Sequence, residues 1–413
     1  MGTDGQRERF RSKLDQVKQI LKGVSHRDTY KNLPSCDVVL IGHQHHFSFL
    51  WKEKLYSPIL ESHVRWERRQ GLKCELILKP YSDINGSRSN TNFYRYNRIA
   101  LFFKVIEKIE SGLSRKTRIH DRLVERFWSK LFESSSAKRI AAIQPDKYMC
   151  RAARNFDIEI IDLQHGVICQ AHPWYGKSFN KSKAASDLPT SFFVWDQESK
   201  NVVESWAKDK GCSVTVYGNQ WVSRFLNEDC DDAVVVDALK KFPNVDSNSP
   251  VVLVSLQWGL ENYLNADDYD GAIMTLFKRL VERYHRKYVF LVRLHPVQLY
   301  GSRWELAKKS LEDLSSRVNA NRFDWLDSSY AALPAILSKT DVHLTFSSTV
   351  VKEAAQFNVP SAILDQDIRL GGRRSSYYED LKEAGIVTVI EPFLDEVVKW
   401  IDDQLASKNK EVL

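Results

Sequence analysis

Short apolar runs alternate with helix-length amphipathic segments along most of the chain, and this alternation constrains the fold more than any other feature of the sequence. Parallel strands cannot be joined by a tight turn and need a crossover, usually a helix, so the pattern predicts parallel sheets covered by helices. Two series are present. The first places strands at 37–42, 74–78, 139–143, 158–163, 191–195 and 213–217, the second at 251–256, 288–293, 342–346, 361–364 and 386–390. Between them, 227–249 is rich in Asp, Asn, Ser and Pro and holds one helix-like piece at 233–241, which reads as a linker. The expected organisation is α/β: an N-terminal doubly wound domain over 1–230, a linker over 231–249 and a C-terminal doubly wound domain over 250–413. A ligand is expected between the halves, beyond the carboxyl ends of the strands.

With 413 residues, 43% hydrophobic and 27% charged, the chain has the composition of a soluble globular enzyme, and no apolar run approaches the roughly 18 residues of a membrane span. Its start, Met1-Gly2-Thr3-Asp4-Gly5-Gln6-Arg7, lacks the apolar core of a signal peptide, so a cytoplasmic location is expected. The six cysteines, at 36, 74, 150, 169, 212 and 230, form no C-x-x-C pair, which points to reduced buried thiols rather than a zinc site or disulfide framework. P-loop, G-x-G-x-x-G, G-x-S-x-G and H-E-x-x-H patterns are all absent, so kinase, dehydrogenase, esterase and zincin readings are dropped.

The net charge of +7 is concentrated in one stretch. Within 88–139 there are 13 basic and 5 acidic side chains, an excess of 8, leaving −1 for the remainder. Ile99, Leu101, Phe102, Phe103, Val105, Ile106 and Ile109, followed by Leu113, Ile119, Leu123, Val124, Phe127, Trp128 and Leu131, predict a helical insertion. Arg115, Lys116, Arg118, Arg122 and Arg126 would lie mainly on its outer face. That face is either a solvated helix surface or a contact for an anionic membrane or anionic acceptor, with peripheral attachment to the inner face of the membrane. Nucleic acid is not expected, because no base-stacking or DNA-reading element accompanies the charge.

In the second half, Leu291-Val292-Arg293-Leu294-His295-Pro296 carries a guanidinium and an imidazole to a strand end, where they can meet phosphate; alone, His-Pro reads equally as a core histidine. Ser347-Ser348-Thr349 then runs from a strand into a helix, offering N-cap hydroxyls and helix-end donors to an anion. Glu353 one turn later suits ribose hydroxyls, or a capping box. Together with Asn358-Val359-Pro360, these motifs resemble the nucleotide-binding half of the GT-B glycosyltransferases, most closely the bacterial capsule and teichoic-acid type enzymes. The resemblance implies a GT-B fold, two Rossmann-like domains facing each other across a cleft, with Arg293, His295, Pro296, Ser347, Ser348 and Thr349 on the donor phosphates and Glu353 on the ribose.

The first half adds Ile161-Asp162-Leu163-Gln164-His165-Gly166, similar to the His-Gly strand end of capsule-synthesis and polyol-phosphate transferases. Gly166 allows a sharp turn that presents His165, whose ordinary pKa suits a general base for an acceptor hydroxyl; Glu261 and Asp162 are further candidates for that role. Ser255-Leu256-Gln257-Trp258-Gly259 has one glycine where related enzymes are Gly-rich, so Gln257 and Gly259 are the donor contacts there and a monophosphate-linked donor such as a CMP-sugar is favoured. His43 and His45, in extended alternation after the first strand, and Gln164 are expected on the acceptor side, with no metal. Asp268-Tyr269-Asp270 matches a GT-A metal motif, but Asp270 before a helix beginning near Gly271 reads as an N-cap.

The function implied is an inverting, metal-independent glycosyltransferase that moves a sugar from an activated, nucleotide-linked donor to a bacterial surface polysaccharide or glycolipid, with no cofactor beyond the donor. The alternatives are polyol-phosphate or sugar-phosphate transfer, nucleotide-sugar epimerisation, and a non-catalytic glycan- or nucleotide-binding module.

Overall fold

The computed structural model describes residues 20–411 except 81, 83, 85–88, 113–118, 228–230, 247 and 300, with side chains to 408. Cys230 and the insertion's Leu113, Arg115, Lys116 and Arg118 therefore lie outside the described residues. Contacts group the chain into two compact units, 1–47 with 52–220, and 48–51 with 221–413.

Unit 1 is built on β1 (Val38–Gly42), β2 (Cys74–Leu78), β3 (Arg139–Ala142), β4 (Glu159–Leu163), β5 (Ser191–Val194) and β6 (Ser213–Val216). They pair in parallel in the order β2-β1-β3-β4-β5-β6. Unit 2 is built on β7 (Val251–Ser255), β8 (Val289–Arg293), β9 (Phe323–Asp324), β10 (Val342–Thr345), β11 (Ser361–Ile363) and β12 (Val387–Val389), again all parallel, in the order β9-β8-β7-β10-β11-β12. The strand order in each sheet reverses once, between β1 and β3 and between β7 and β10, and such switch points are where open α/β sheets bind ligands.

Alternate residues of each strand feed opposite layers. Val39, Ile41, Ile140 and Ile160 join one cluster in unit 1, while Val38, Leu40, Ala141 and Ile161 join another. Val252, Val254, Phe290 and Val292 likewise oppose Val251, Leu253, Val289 and Leu291 in unit 2. Burial on both faces is why these strands read as continuous Val, Ile and Leu runs.

The basic insertion forms two helices, Asn97–Gly112 and Ile119–Ser135, whose Phe103, Val124, Phe127, Trp128 and Leu131 cover one face of the first sheet. Phe102, Val105, Ile109 and Ile119 instead stay about half exposed, among the exposed Arg98, Lys104, Lys108, Arg122, Arg126 and Lys130.

One local expectation is corrected. Tyr269–Asp270 and Ile273–Met274 form a small antiparallel hairpin around Gly271, whose φ is +62°, and the following helix starts at Thr275, so Asp270 is not its N-cap. The Asp270 carboxylate instead pairs with Lys278. The helix-like piece expected at 233–241 is the Ala233–Lys240 helix, capped by Asp232, which Arg224 holds through bonds of 2.7 and 2.9 Å in a buried pair. Trp51 Nε1 donates to Asp237 on that helix at 3.1 Å.

Trp128 is 1% exposed and packs against Tyr96, Phe127 and Phe132 with ring centroids 5.1 to 5.6 Å apart. Trp128→Ala is expected to cost unit 1 about 3–5 kcal/mol. Phe102→Ala, on the exposed stripe, is expected to change stability by less than about 0.5 kcal/mol. Denaturant unfolding of both variants checks this, and equal stabilities would overturn the packing described.

Candidate functional site

In unit 2 the switch point is closed by side chains. Ser347, which follows β10, donates from Oγ to Gln257 Oε1 at 2.8 Å, directly across from the end of β7. At the end of β8, the His295 backbone N–H donates to Gln298 Oε1 at 2.8 Å, and Gln298 Nε2 donates to the Gln257 carbonyl at 3.4 Å. Pro296 starts the short 3-10 turn Pro296–Leu299, in which the Val297 N–H donates to His295 Nδ1 at 3.2 Å. Since Nδ1 accepts, the neutral ring carries its proton on Nε2, the form that can donate to a phosphate oxygen. Gln257, His295 and Ser347 are thus brought together by three strand ends.

The hydroxyl run is held from behind. The Tyr378 hydroxyl donates to the carbonyls of Ser348 at 3.0 Å and Ser347 at 3.3 Å, and the Thr345 hydroxyl accepts from the Ser348 N–H at 3.2 Å. The helix that follows, Val350–Gln356, has seven residues; Thr349 stands at its N-cap without a side-chain capping bond, whereas Ser348 Oγ accepts from the Val350 N–H at 3.4 Å. Arg293 is committed internally, donating from Nη1 to the carbonyls of Ser328 and, at 2.9 Å, Ala331. Burial pulls its pKa down to about 10 against the opposing charge of Glu353, so it stays cationic at neutral pH. Gly259 adopts a left-handed φ of +81° at the start of the 3-10 turn Leu260–Asn262, which carries Glu261 exposed on the surface.

In unit 1 the residues after β1 form a 3-10 turn, Gln44–His46, not an extended segment. His43 Nδ1 accepts from the His45 N–H at 3.3 Å and His46 Nδ1 accepts from the His43 N–H at 3.1 Å. The His43 and His45 rings stack with centroids 4.3 Å apart, and the His46 ring meets the His165 ring edge-on at 5.8 Å. His165 is set by Gln164, whose Oε1 accepts from the Trp195 N–H at 2.6 Å and whose Nε2 donates to the Gly166 carbonyl at 2.9 Å and to Ser199 Oγ at 3.2 Å. Gln164 is 2% exposed with both ends of its amide bonded, so it braces the His-Gly turn instead of facing an acceptor. Asp162 is similarly engaged, accepting from the Gln144 N–H at 2.9 Å and Trp174 Nε1 at 3.1 Å; burial lifts its pKa to about 6 despite those bonds and the charge of Lys79.

Lys79, immediately after β2, is the functional candidate the sequence reading missed. Its backbone N–H donates to the Gly42 carbonyl at 2.8 Å, and its ammonium donates to the carbonyls of Ile143 at 2.7 Å and Gln144 at 2.9 Å, spanning the β1/β3 switch point. The strand-end position was the available signal. Burial and this nearby cation push the imidazoles down: His165 to about 4, His43 to about 3, and His46 well below 6.5. His165 Nδ1 is buried and makes no hydrogen bond among the described residues. No three His, Cys, Asp or Glu side chains converge as a metal site among the described residues, and no helix there is long and apolar enough to cross a membrane.

No family model and no curated protein sequence matches the chain. Solved structures do. The UDP-GlcNAc 2-epimerase from Neisseria meningitidis, bound to UDP-GlcNAc, is similar at a TM-score of 0.55 and 14% identity over 91% of this chain and 92% of that one. The wall teichoic acid polymerase TagF is similar at a TM-score of 0.54 and 16% identity over 97% and 91%. A histidine-to-asparagine variant of TagF soaked with CDPG is similar at 0.52 and 14% identity over 97% and 91%. With two Rossmann-like sheets and these neighbours, the fold is GT-B.

Because His43 and His165 lie at about 3 and about 4 in the fold against an ordinary 6.5, the unfolded chain binds more protons between those limits. These two histidines should therefore contribute stability that grows as pH rises from about 4 to about 6.5, offset in part by Asp162, whose raised pKa of about 6 costs stability as pH rises through the same window. Ring titration by NMR is expected to leave the His165 resonance unshifted between pH 8 and pH 5, in roughly the range the depressed value allows; a midpoint near 6.5 would contradict the buried environment.

Proposed function

We propose that this chain is an inverting, metal-independent GT-B glycosyltransferase that uses a nucleotide-linked sugar to extend a bacterial surface polysaccharide or glycolipid. The observation that carries the reading is the gathering of Gln257, His295 and Ser347 at one switch point without a Gly-rich loop, held there by bonds among themselves and Gln298, with the His295 proton on Nε2. That is chemistry for a phosphate leaving group. The acceptor hydroxyl attacks the anomeric carbon, the bond from that carbon to the donor phosphate breaks, and the departing oxygen's charge is met by His295, Ser347, Ser348 and Thr349, with Glu353 on the ribose.

His165 takes the hydroxyl proton. Depressed to about 4, it is fully in its base form at neutral pH. As a weak base it removes the proton late, once bond formation has made the hydroxyl acidic. Lys79 holds the β1/β3 switch point on which the surrounding histidines rest. Gly259 lets the backbone approach the donor.

Transfer of a polyol phosphate is the second reading, favoured by the similarity to TagF and its CDPG-soaked form. There the hydroxyl attacks phosphorus instead of carbon, and the nucleoside monophosphate leaves. Thermal unfolding of the purified protein with CMP, CDP, UMP, UDP and GDP is expected to give a selective stabilisation, about 2.7 kcal/mol at a hundredfold excess over Kd, lost in His295→Ala. Turnover is expected to survive EDTA and to fall at least about a hundredfold in His165→Ala. A phosphodiester in the new linkage would transfer the assignment to the second reading. Donor consumption without acceptor would mean epimerisation, and binding without turnover a non-catalytic module.

We also propose that the Asn97–Gly112 and Ile119–Ser135 helices rest on an anionic membrane surface. The half-exposed Phe102, Val105 and Ile109 lie among exposed lysines and arginines, a combination suited to the interface. Arg122→Glu with Arg126→Glu should weaken sedimentation with vesicles containing phosphatidylglycerol and leave nucleotide binding intact; unchanged sedimentation would refute the contact. Arg115, Lys116 and Arg118, outside the described residues, are expected to act in the same direction.

A further inference from the structure

Unit 1 contains a cavity of about 310 Å³ between the inserted helices and the carboxyl end of its sheet. Its apolar wall is aromatic: Tyr96, Phe103, Phe127 and Trp128, fixed by mutual packing at centroid distances of 5.1 to 5.7 Å. Its remaining wall is ionisable and of both signs: Lys79, Lys104, Glu107, His120 and Asp146, of which Lys79 is bonded to the Ile143 and Gln144 carbonyls and Asp146 caps the helix that follows it. We infer that this cavity binds one saccharide ring of the acceptor.

Three observations select that chemistry. The volume lies at the small end of the roughly 300–1,000 Å³ typical of small-molecule sites, the scale of a single ring. The edges of these packed rings, of which Phe103 and Phe127 are the most exposed at 8% and 9%, give an apolar patch beside donors and acceptors of both charges, which matches a pyranose, whose C–H faces are apolar and whose rim carries hydroxyls that both donate and accept. An acyl or polyprenyl chain would leave five ionisable groups facing hydrocarbon, at a desolvation cost, and a phosphate would meet two carboxylates.

The assignment to the acceptor rests on the transferase reading; saccharide binding itself does not. What joins the cavity to that reading is Lys79. The same side chain that lines the cavity donates to Ile143 and Gln144, and the Gln144 N–H donates to Asp162, three residues before His165. The Lys79 backbone donates to Gly42, next to His43. The cavity wall and the histidine cluster therefore share one hydrogen-bonded strand-end frame.

The test is saturation-transfer NMR on the full chain with the methyl glycosides of glucose, galactose, mannose, N-acetylglucosamine and N-acetylgalactosamine. At least one is expected to bind with a dissociation constant of about a millimolar, as suits a single ring. Ala100 lines the cavity and is 8% exposed, so Ala100→Trp should fill it and abolish the signal. Should that variant fail to fold, Glu107→Lys, at an exposed position, should still weaken binding about tenfold, equal to about 1.4 kcal/mol. His295→Ala should leave glycoside binding intact while nucleotide stabilisation is lost. No glycoside binding, binding unaffected by both cavity variants, or occupation by dodecanoate in place of any glycoside would overturn the inference. Glycoside binding at the cavity without any nucleotide effect would keep the site and remove the transferase reading.

Discussion

Burying a parallel sheet on both faces is the constraint from which the rest of this structure follows. Strands such as Val38–Gly42 and Val251–Ser255, buried along their whole length, have no room for chemistry in their middles. Polar groups are displaced to the carboxyl ends, where the chain leaves the sheet and the strand order reverses. In unit 2 the Gln257–Ser347 bond ties the two strands that diverge there. In unit 1 the Lys79 ammonium does the equivalent work by capping carbonyls just after β3. The two units thus solve one topological problem with different side chains, a neutral amide and hydroxyl in one and a cation in the other.

That difference sets the electrostatics. A lysine buried among histidines disfavours their protonation, and burial disfavours it further, so the cluster around His165 is a set of neutral imidazoles beside a fixed positive charge. The backbone bonds accepted by His43 and His46 put their protons on Nε2, which makes the tautomers a consequence of the 3-10 turn. An anion approaching such a cluster gains from Lys79 at once and then from each imidazole it helps to protonate.

The two six-stranded sheets were legible because double burial writes itself as β-branched and aliphatic runs, and eleven of their twelve strands lie within a residue or so of the positions the alternation predicts. The strand missed in them, Phe323–Asp324, is a two-residue edge with too little length to carry a period, and the same holds for the two- and three-residue strands of the small hairpins at 49–56 and 269–274. The motif residues were legible as positions but not as roles. Gln164 and Asp162 face inward because a His-Gly turn needs internal bonds to hold it, and local sequence does not reveal how many. Lys79 was missed for the opposite reason: a lone lysine reads as solvated surface until the fold closes around it, and only the carbonyls of residues 143 and 144, distant in sequence, reveal its place. Asp270 read as a cap because helix starts and hairpin turns share the same Asp-Gly signature.

The residues proposed for the donor side do not by themselves separate the chemistries proposed for this chain, since transfer of a sugar, transfer of a polyol phosphate and epimerisation all need a phosphate held and its charge met. The distinction must lie in what else the chain accommodates. An epimerase acts within one substrate and has no use for a second carbohydrate pocket, whereas a transferase must hold a hydroxyl-bearing partner. The aromatic cavity beside Lys79 is in the unit that carries His165, and it is framed by helices that sequence reading recognised only as a basic insertion. Its mixed charges suit a neutral polyhydroxylated ring. The exposed Arg98, Lys108, Arg122, Arg126 and Lys130 of the same helices lie outside the cavity lining, so the wall of the cavity and most of the described basic surface of the insertion are separate features.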